Sequence, residues 1–379
     1  MQFSRIRLEN WRNFGEVDVA VSTRVFLVGA NASGKSNFLD ALRFLRELVI
    51  LGGGFQKAVL DRGGVTTIRN LAARRNASIA LDIDLSDGEE RKWRYRLVFG
   101  QDSLRRPVLR EEKVWDADDN VILDRPDKKD ADDDARLGQT QLEQVFANKQ
   151  FREIAGFLRS IKYLHIIPQL VREPERTAAG YKNDPFGSDF LEQVASSDKR
   201  SQKARLRRIQ DVLRALVPQL AEIELWRDGG IPHLRGKYQH WRPHGAWQTE
   251  REFSDGTLRL VGLVWALQDG QGPLLLEEPE LSLHPEVVLR LPQLLYRIQR
   301  SLKKSPRQTF ISTHSLELLQ DEGIGAHEIL LLITSKEGTF VCRGASDEMI
   351  RKELEAGLTI ADVVLPRTAP DTLTQLTLL

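Results

Sequence analysis

The sequence predicts an α/β fold: a mixed central sheet with flanking helices, an N-terminal antiparallel β subdomain and a helical lobe. Residues 24–28 form a short apolar run, followed by GANASGKS and by a segment, 37–51, whose apolar positions recur at helical spacing. Residues 78–85 and 92–99 alternate in polarity around Asp87-Gly88, which predicts an antiparallel hairpin. These patterns place one strand–loop–helix unit beside a β-rich region.

Composition bounds the class of protein. The chain has 379 residues, of which 41% are hydrophobic and 29% charged, as in a globular protein with a sizeable core. The net charge of +1 excludes strong overall attraction to polyanions, so only local patches could bind nucleic acid. Cys342 is the one cysteine, which fits a reducing compartment. The N-terminus has no apolar leader, and no apolar run approaches about 18 residues, so we expect a cytoplasmic protein without membrane contact.

The segment GANASGKS matches GxxxxGK[ST], a loop whose backbone N–H groups curl around phosphates at a helix N-terminus. The predicted nucleotide contacts are Gly29, Ala30, Asn31, Ala32, Ser33, Gly34, Lys35, Ser36 and Asn37. We expect Lys35 to reach the β- and γ-phosphates and Ser36 to ligate Mg²⁺. Arg12 lies on a predicted turn before the loop strand. It either stacks on adenine or forms part of an ordinary hairpin tip, and the sequence does not distinguish the two.

Three later motifs complete the predicted nucleotide site. Ser254 and Gly256, in FSDGT, offer a hydroxyl and a bare amide at a helix start, which is a second anion site. Glu277 and Glu278 directly follow the apolar residues 273–276, where ligands bind at the carboxyl ends of strands. One carboxylate can hold the Mg²⁺ shell and the next can activate water. His314, in THS, follows the predicted buried strand 308–312, and at a strand tip it can donate to a γ-phosphate.

The middle of the chain carries three less specific features. Residues 116–134 hold nine aspartates and predict a solvated loop or an acidic partner site. Residues 141–161 predict a helix, and 163–167 a buried strand followed by Gln169. Residues 223–253 alternate and turn, and their aromatic side chains, Trp226, Tyr238, Trp241 and Trp247, lie among Arg235, Lys237 and Arg242. They predict the core of a β-meander or a surface that stacks on bases.

Residues 190–220 predict a strongly basic helical region. The candidate nucleic-acid contacts are Lys199, Arg200, Lys203, Arg207 and Arg208. A solvated helix face and a contact with an acidic partner are the alternatives.

The order of GANASGKS, FSDGT, LLLEEPE and THS resembles the ATP-binding-cassette (ABC) ATPase heads of the SMC, RecF and overcoming-lysogenization-defect group. The opening FSRIRLENWRNFG is similar to the start of those heads, and the resemblance is close over residues 1–50 and 250–345. The stretch YLHIIPQLVREPER resembles a segment of RecF-like AAA-type ATP-binding proteins of bacteria. The resemblance implies a P-loop NTPase of ABC-ATPase type that uses ATP and Mg²⁺.

The resemblance also implies residue roles. Lys35 is the charge clamp, Glu277 replaces the usual Walker B aspartate, and Glu278 is the catalytic glutamate. His314 matches the switch histidine, and Gln169 is assigned as a Mg²⁺ contact by its place after a strand. Ser254, Asp255 and Gly256 match the signature motif, which in such heads caps the ATP held by a second copy.

The implied activity is ATP hydrolysis coupled to closure of a homodimer. Such a dimer would act as a switch on duplex DNA or on a separately encoded effector, in DNA repair or defence against phage. The alternatives are the nucleotide-binding subunit of a transporter, an ATPase of protein assembly without DNA, and a non-hydrolysing scaffold. We expect the head to comprise residues 1–115 and 251–365, an inserted lobe 116–250 and a tail 366–379.

Overall fold

The computed structural model describes residues 1–73, 78–173, 184, 186–239, 246–301 and 306–368. The chain forms two compact units. Unit 1 comprises Met1–Ile161, Gln271–Leu275 and Arg307–Leu379, and unit 2 comprises Lys162–Gly270 and Leu276–Pro306. The predicted segment boundaries at residues 115, 250 and 365 stay predictions.

Unit 1 contains the predicted antiparallel β subdomain. Its strands are β1 (Gln2–Trp11), β2 (Phe14–Ala20), β4 (Ile79–Asp87), β5 (Glu90–Gln101), β6 (Pro107–Trp115) and β7 (Val121–Arg125). They pair antiparallel in the order β2-β1-β4-β5-β6-β7. The β4–β5 hairpin turns at Gly88, whose φ of 67° is a conformation that glycine adopts without steric cost.

A second sheet in unit 1 carries the phosphate loop. Its strands are β3 (Arg24–Gly29), β13 (Thr309–Thr313), β14 (Ile329–Ser335), β15 (Gly338–Arg343) and the beginning of β12 (Leu274–Glu277). β3 is parallel to both β13 and β14, whereas β15 is antiparallel to β14. The sheet is therefore mixed, as predicted. β12 starts beside β13, where the Leu274 N–H donates to the Gln308 carbonyl at 2.9 Å.

Unit 1 contains eight α-helices within the described residues. They are α1 (Lys35–Val49), α2 (Phe55–Leu60), α3 (Val65–Ile68), α4 (Lys128–Asp132), α5 (Arg152–Arg159), α12 (Leu316–Leu319), α13 (Glu348–Glu355) and α14 (Ile360–Thr368). Phe44 of α1 lies 5.3 Å from Trp11 and stacks on Phe99 at 5.5 Å between ring centroids. Aromatic pairs of this kind contribute about 0.5–1.5 kcal/mol beyond area burial, so the core holds α1 against the β subdomain.

The prediction that residues 116–134 form a solvated loop is wrong in part. Asp127 caps α4 in a capping box, and Asp130 is buried against Arg125. The Arg125 guanidinium donates two hydrogen bonds to the Asp130 carboxylate, at 2.9 and 2.8 Å, and a third to Glu112 at 3.0 Å. One residue of this aspartate-rich segment, Asp130, is therefore buried and paired with an arginine.

The helix predicted over residues 141–161 is also shorter than expected. Only α5 is α-helical, and turns precede it. The Glu112 carboxylate accepts from the N–H groups of Gln141 and Leu142, and the Asn148 amide donates to the Leu142 carbonyl. The Asn148 amide thus takes a carbonyl that an α-helix would pair with its own backbone, so a side-chain contact replaces a helical hydrogen bond in this segment.

Unit 2 contains helices and a small sheet. Its helices are α6 (Pro168–Arg172), α7 (Phe190–Ser196), α8 (Lys199–Leu216), α9 (Asp255–Gln268), α10 (Pro285–Leu289) and α11 (Leu291–Ser301). Its strands are β8 (Lys162–Leu164), beside the end of β12, and β9 (Leu220–Asp228), β10 (Ile231–Tyr238) and β11 (Ala246–Thr249), which pair in the order β11-β10-β9. β8 has three residues, whereas the strand predicted over 163–167 has five.

The β-meander predicted in residues 223–253 is confirmed, but two of its tryptophans do not lie in a core. The Arg235 guanidinium lies 5.2 Å from the Trp226 ring centroid and 4.5 Å from that of Trp247, which is 41% exposed. On the other side of β10, Leu234 is fully buried. Residues 241 and 242, also part of the predicted aromatic and basic pattern, lie outside the described residues.

At the C-terminal side, α14 extends to Thr368, so the first three residues of the predicted tail are helical. Residues 369–379 lie outside the described residues. Within the described ranges, no helix combines the length and the apolar composition needed to cross a bilayer.

Candidate nucleotide-binding site

The phosphate loop joins β3 to α1 in unit 1. β3 is parallel to β13, with Val28 opposite Thr313, and parallel to β14, with Gly29 opposite Leu332. The loop therefore begins at the carboxyl edge of the sheet, which is where open α/β sheets bind ligands. His314 directly follows Thr313 and is exposed. The chain thus leaves two neighbouring strands at one edge, through Gly29 and His314.

The loop has the backbone conformation that such a site needs. Gly34 precedes α1 with φ of 99°, and Ala32 has φ of 62°. The N-cap residue of α1, Gly34, has no side chain with which to cap the N–H groups of the first turn. A helix start of this kind, preceded by a glycine turn, fits a phosphate group.

Two side chains inside the loop also fit a phosphate ligand. Lys35 is 6% exposed, and its ammonium donates to the carbonyls of Gly29 at 2.9 Å and Ala30 at 3.0 Å. Ser33 is fully buried, and its hydroxyl has no hydrogen-bond partner within the described part of the chain. A buried hydroxyl without a partner is unfavourable unless a ligand completes it.

The remaining residues predicted in unit 1 surround the loop. Asn31, Ala32 and Ser36 are exposed, while Asn37 is half-buried in the first turn of α1. The Trp11 indole donates to the Asn37 carbonyl at 2.9 Å. Arg12 lies beside the same helix, because its guanidinium is 3.3 Å from the Asp40 carboxylate. The predicted contact of Arg12 with adenine stays a prediction.

Unit 2 contains the predicted carboxylates. Leu274, Leu275 and Leu276 are at most 1% exposed, and Glu277 and Glu278 follow them half-buried. Glu278 has φ of 43°, a left-handed conformation that costs a non-glycine residue about 1–2 kcal/mol. Strained residues of this kind cluster at functional sites.

Glu277 is held by residues that the sequence analysis did not select. The Tyr163 hydroxyl donates to the Glu277 carboxylate, and the His165 ring nitrogen Nδ1 lies 3.3 Å from the Glu277 backbone oxygen. Tyr163 and His165 are two residues apart, so the period-two alternation of YLHII could have placed them on one face. Gln169, the predicted Mg²⁺ contact, is exposed in α6.

Residues of α9 and Glu277 line one small pocket in unit 2. It is lined by Leu164, Ile166, Arg259, Leu263, Leu276, Glu277 and Pro279. Arg259 comes from α9, and burial lowers the pKa of its guanidinium although the carboxylates of Asp255 and Glu278 act to raise it. A guanidinium stays charged in proteins, so it contributes positive potential beside the carboxylates.

The residues predicted to form the signature motif, 254–256, lie at the start of α9. Ser254 is exposed, and its hydroxyl accepts from the Thr257 N–H at 3.2 Å, as an N-cap does. The Arg172 guanidinium donates to the Asp255 carboxylate at 2.5 Å. A Cβ built on Gly256 would lie 2.6 Å from the Ser282 carbonyl oxygen, so the close backbone approach requires glycine.

The basic helix α8 presents its cations in two groups. At 100° per residue, Lys199, Arg200, Lys203, Arg207 and Arg214 fall within an arc of about 100°, and all five are exposed. Leu206, Ile209 and Leu213 form the buried side. Arg208 lies about 100° beyond Arg207, where it donates to the Gln268 side chain at 3.3 Å. The candidate contact Arg208 therefore lies away from the basic face.

Several known proteins are similar to this chain in sequence. The family described as "AAA domain, putative AbiEii toxin, Type IV TA system" matches residues 24–320. The chain is 25% identical over 348 residues to "Endonuclease GajA" of Bacillus cereus (strain VD045), covering 85% of this chain and 57% of that protein. It is 37% identical over 90 residues to "DNA replication and repair protein RecF" of Agrobacterium fabrum (strain C58 / ATCC 33970), covering 24% of this chain and 22% of that protein. The chain thus spans about half or less of these relatives.

Solved structures share the fold. An Smc head bound to the C-winged helix domain of ScpA has a TM-score of 0.56 at 14% identity, covering 90% of this chain and 98% of that one. An Smc head with an extended coiled coil, bound to the C-terminal domain of ScpA from Pyrococcus furiosus, has a TM-score of 0.51 at 13% identity, covering 93% and 99%. The predicted P-loop fold of ABC-ATPase type is confirmed.

Proposed function

Because the chain belongs to the family of AAA domains described as "putative AbiEii toxin, Type IV TA system", and is a RecF/SMC-like ATPase of ABC type, we propose that it binds ATP on the loop of residues 29–36. The observation that carries this proposal is the buried Lys35 ammonium at a helix start whose N-cap residue is the glycine Gly34. The loop amides and Lys35 would hold the phosphates.

We further propose the residues that act in hydrolysis. Glu278 accepts a proton from the attacking water, and His314 donates to the γ-phosphate. Ser36, Glu277 and Gln169 would supply oxygen ligands of the kind that Mg²⁺ prefers. Bound Mg²⁺ would neutralise charge that develops on the phosphates. The roles of the unit 2 residues are supported by the order of the motifs along the chain.

We propose that the working form is a homodimer that closes on ATP. Ser254, Asp255 and Gly256 of one copy would cap the ATP held by another. The exposure of Ser254 in its own chain supports this role, because a residue that caps a neighbour's ligand must reach the surface. If the closed dimer binds ATP more tightly than separated copies do, nucleotide state sets the dimer population.

We propose duplex DNA as the ligand of the basic face of α8. Four of the candidate contacts, Lys199, Arg200, Lys203 and Arg207, lie on that face with Arg214. Exposed cations in one row can neutralise successive phosphates and release counterions. We also propose a separately encoded effector protein as a partner. It would respond to the dimer that forms when ATP is bound.

Titration of the purified chain with ATP and Mg²⁺ tests the proposed ATP binding, on which the other proposed roles depend. The parent should bind ATP and release phosphate, whereas Lys35→Ala should lose ATP binding by a factor of about 100 or more, because it removes a charged hydrogen-bond donor from the phosphates. Lys57→Ala is a matched control, since Lys57 is an exposed lysine of the same unit. A parent chain that binds no nucleotide would refute the proposal.

A further inference from the structure

Asn13, at the tip of the β1–β2 hairpin, contacts the phosphate loop through its side chain. Its amide NH₂ donates to the Ser33 carbonyl at 2.9 Å and to the Thr339 hydroxyl at 2.7 Å. Its amide oxygen accepts from the side chain of Asn37 at 2.7 Å. Both donors and the acceptor of one side chain are thus used, and two of the three bonds go to the loop and the first turn of α1.

The bond to Ser33 controls which way one loop peptide faces. In a trans peptide the C=O and the following N–H point in opposite directions. A Ser33 carbonyl directed at Asn13 therefore turns the Gly34 N–H away from Asn13. A loop that cradles phosphates must direct its N–H groups at the anion, and its carbonyls need donors elsewhere. Asn13 supplies such a donor.

The amide of Asn13 also packs against the backbone of Gly34. A Cβ built on Gly34 would overlap the Asn13 amide, and Gly34 has φ of 99° besides. Two independent reasons thus require glycine there, one steric and one conformational. The contact leaves little room for the Ser33–Gly34 peptide to rotate.

The β14–β15 hairpin contacts Asn13 through Thr339 and Gly338. The Thr339 N–H donates to the Asn13 carbonyl at 2.8 Å, in addition to the hydroxyl contact. A Cβ on Gly338 would lie 2.6 Å from the Asn13 carbonyl oxygen, so β15 approaches closely. The amide of Asn13 is therefore oriented by β15 and directed at the phosphate loop.

We propose that Asn13 is a positioning residue for nucleotide binding. It fixes the Ser33–Gly34 peptide so that the Gly34 N–H faces the phosphates, and Thr339 orients the Asn13 amide for this task. The proposal rests on the proposed function, because it requires that ATP binds this loop. It assigns a role to a residue outside the GxxxxGK[ST] motif.

The test compares Asn13→Asp with Asn10→Asp in the full chain. Each change removes an amide donor that lies 2.9 Å from a carbonyl, that of Ser33 for Asn13 and that of Ser78 for Asn10. Isothermal titration with ATP and Mg²⁺ gives the Kd, steady-state phosphate release gives kcat, and thermal melts without ATP report stability. We expect Asn13→Asp to raise the Kd for ATP about tenfold or more, because a carboxylate cannot donate to Ser33. Asn10→Asp should change the Kd for ATP by less than about twofold, which corresponds to under about half a kcal/mol of binding free energy.

Thr339→Val provides a second route to the same result. It removes the hydroxyl that orients the amide and keeps Asn13 itself, so the Kd should rise about threefold, which corresponds to a weakened neutral hydrogen bond. Folded Asn13→Asp and Thr339→Val chains that bind ATP as the parent does would refute the positioning role. If Asn13→Asp does not fold, the Kd of Thr339→Val decides alone. A parent chain that binds no ATP would instead refute the proposed function and this inference together.

Discussion

The Tyr163 hydroxyl donates a hydrogen bond to the Glu277 carboxylate, and both residues belong to unit 2. Glu277 stands where the resemblance places an aspartate, and a glutamate has one more rotatable bond. A hydrogen bond to the carboxylate limits that extra freedom. Residues that orient a metal ligand in this way commonly affect metal affinity.

We therefore expect Tyr163→Phe to lower the affinity for Mg²⁺ at the proposed nucleotide site. The Mg²⁺ concentration for half-maximal ATP binding should rise about tenfold, because a hydrogen bond to a residue that ligates the metal typically contributes tenfold or more to metal affinity. ATP binding measured over a Mg²⁺ titration reports the change without relying on turnover. Tyr296→Phe is the control, since Tyr296 is a 56% exposed tyrosine of the same unit. Equal Mg²⁺ midpoints for Tyr163→Phe and the parent would contradict the expectation.

Glu278→Gln should bind ATP and fail to hydrolyse it. A glutamine keeps the size of the side chain but cannot accept the proton of water, so kcat should fall by about 10²-fold or more. The closed dimer should then accumulate with ATP, as sedimentation velocity would detect. Glu286→Gln, at an exposed glutamate of α10, should behave as the parent. Turnover of the Glu278→Gln chain at the parental rate would show that the catalytic assignment is wrong.

Charge reversal on the basic face of α8 should change the salt dependence of DNA binding. For Lys203→Glu with Arg207→Glu, the slope of log K against log salt should become shallower by about two, because two phosphate contacts and their counterions are lost. Duplex DNA binding at several salt concentrations gives the slope. Arg208→Glu is the control, since Arg208 lies on another side of the helix. A slope that is unchanged in the double variant but altered in Arg208→Glu would move the contact surface off this face.

The buried pair Arg125–Asp130 predicts a specific loss of stability in acid. Hydrogen bonds from Arg125 lower the pKa of Asp130 from 3.8 to about 2. A lowered acid pKa stabilises the fold above pH 3.8, and that contribution disappears as the pH falls through 2. It corresponds to about 2 kcal/mol near neutral pH, of which about 1 kcal/mol is lost by pH 3.

Urea unfolding of the parent and of Asp130→Asn would measure this loss. The stability difference between them should shrink by about 1 kcal/mol from pH 6 to pH 3, because asparagine does not titrate in this range. Asp132→Asn, at an exposed aspartate on the same short helix, is the matched control. A difference between the parent and Asp130→Asn that stays constant with pH would rule out the assigned ion pair.

Local patterns predicted the elements well where a motif or a strict alternation was present. β3, the loop and α1 follow from RVFLVGANASGKS, because steric rules and helix periodicity act within a few residues. The same rules failed over residues 141–161, where the Asn148 amide takes the Leu142 carbonyl and the carboxylate of Glu112 accepts from the N–H groups of Gln141 and Leu142. Glu112 is about thirty residues away in sequence, which no local pattern can include.

The sequence by itself determined the class of fold, the phosphate loop and the residue types at the proposed nucleotide site, because those depend on short-range stereochemistry and on motif spacing. Only the tertiary structure decided which side chains support them. Asn13 reaches Ser33 across 20 residues, and Tyr163 reaches Glu277 across 114. Hydrogen bonds between distant segments depend on how strands are ordered in a sheet, and that order is a property of the packed chain.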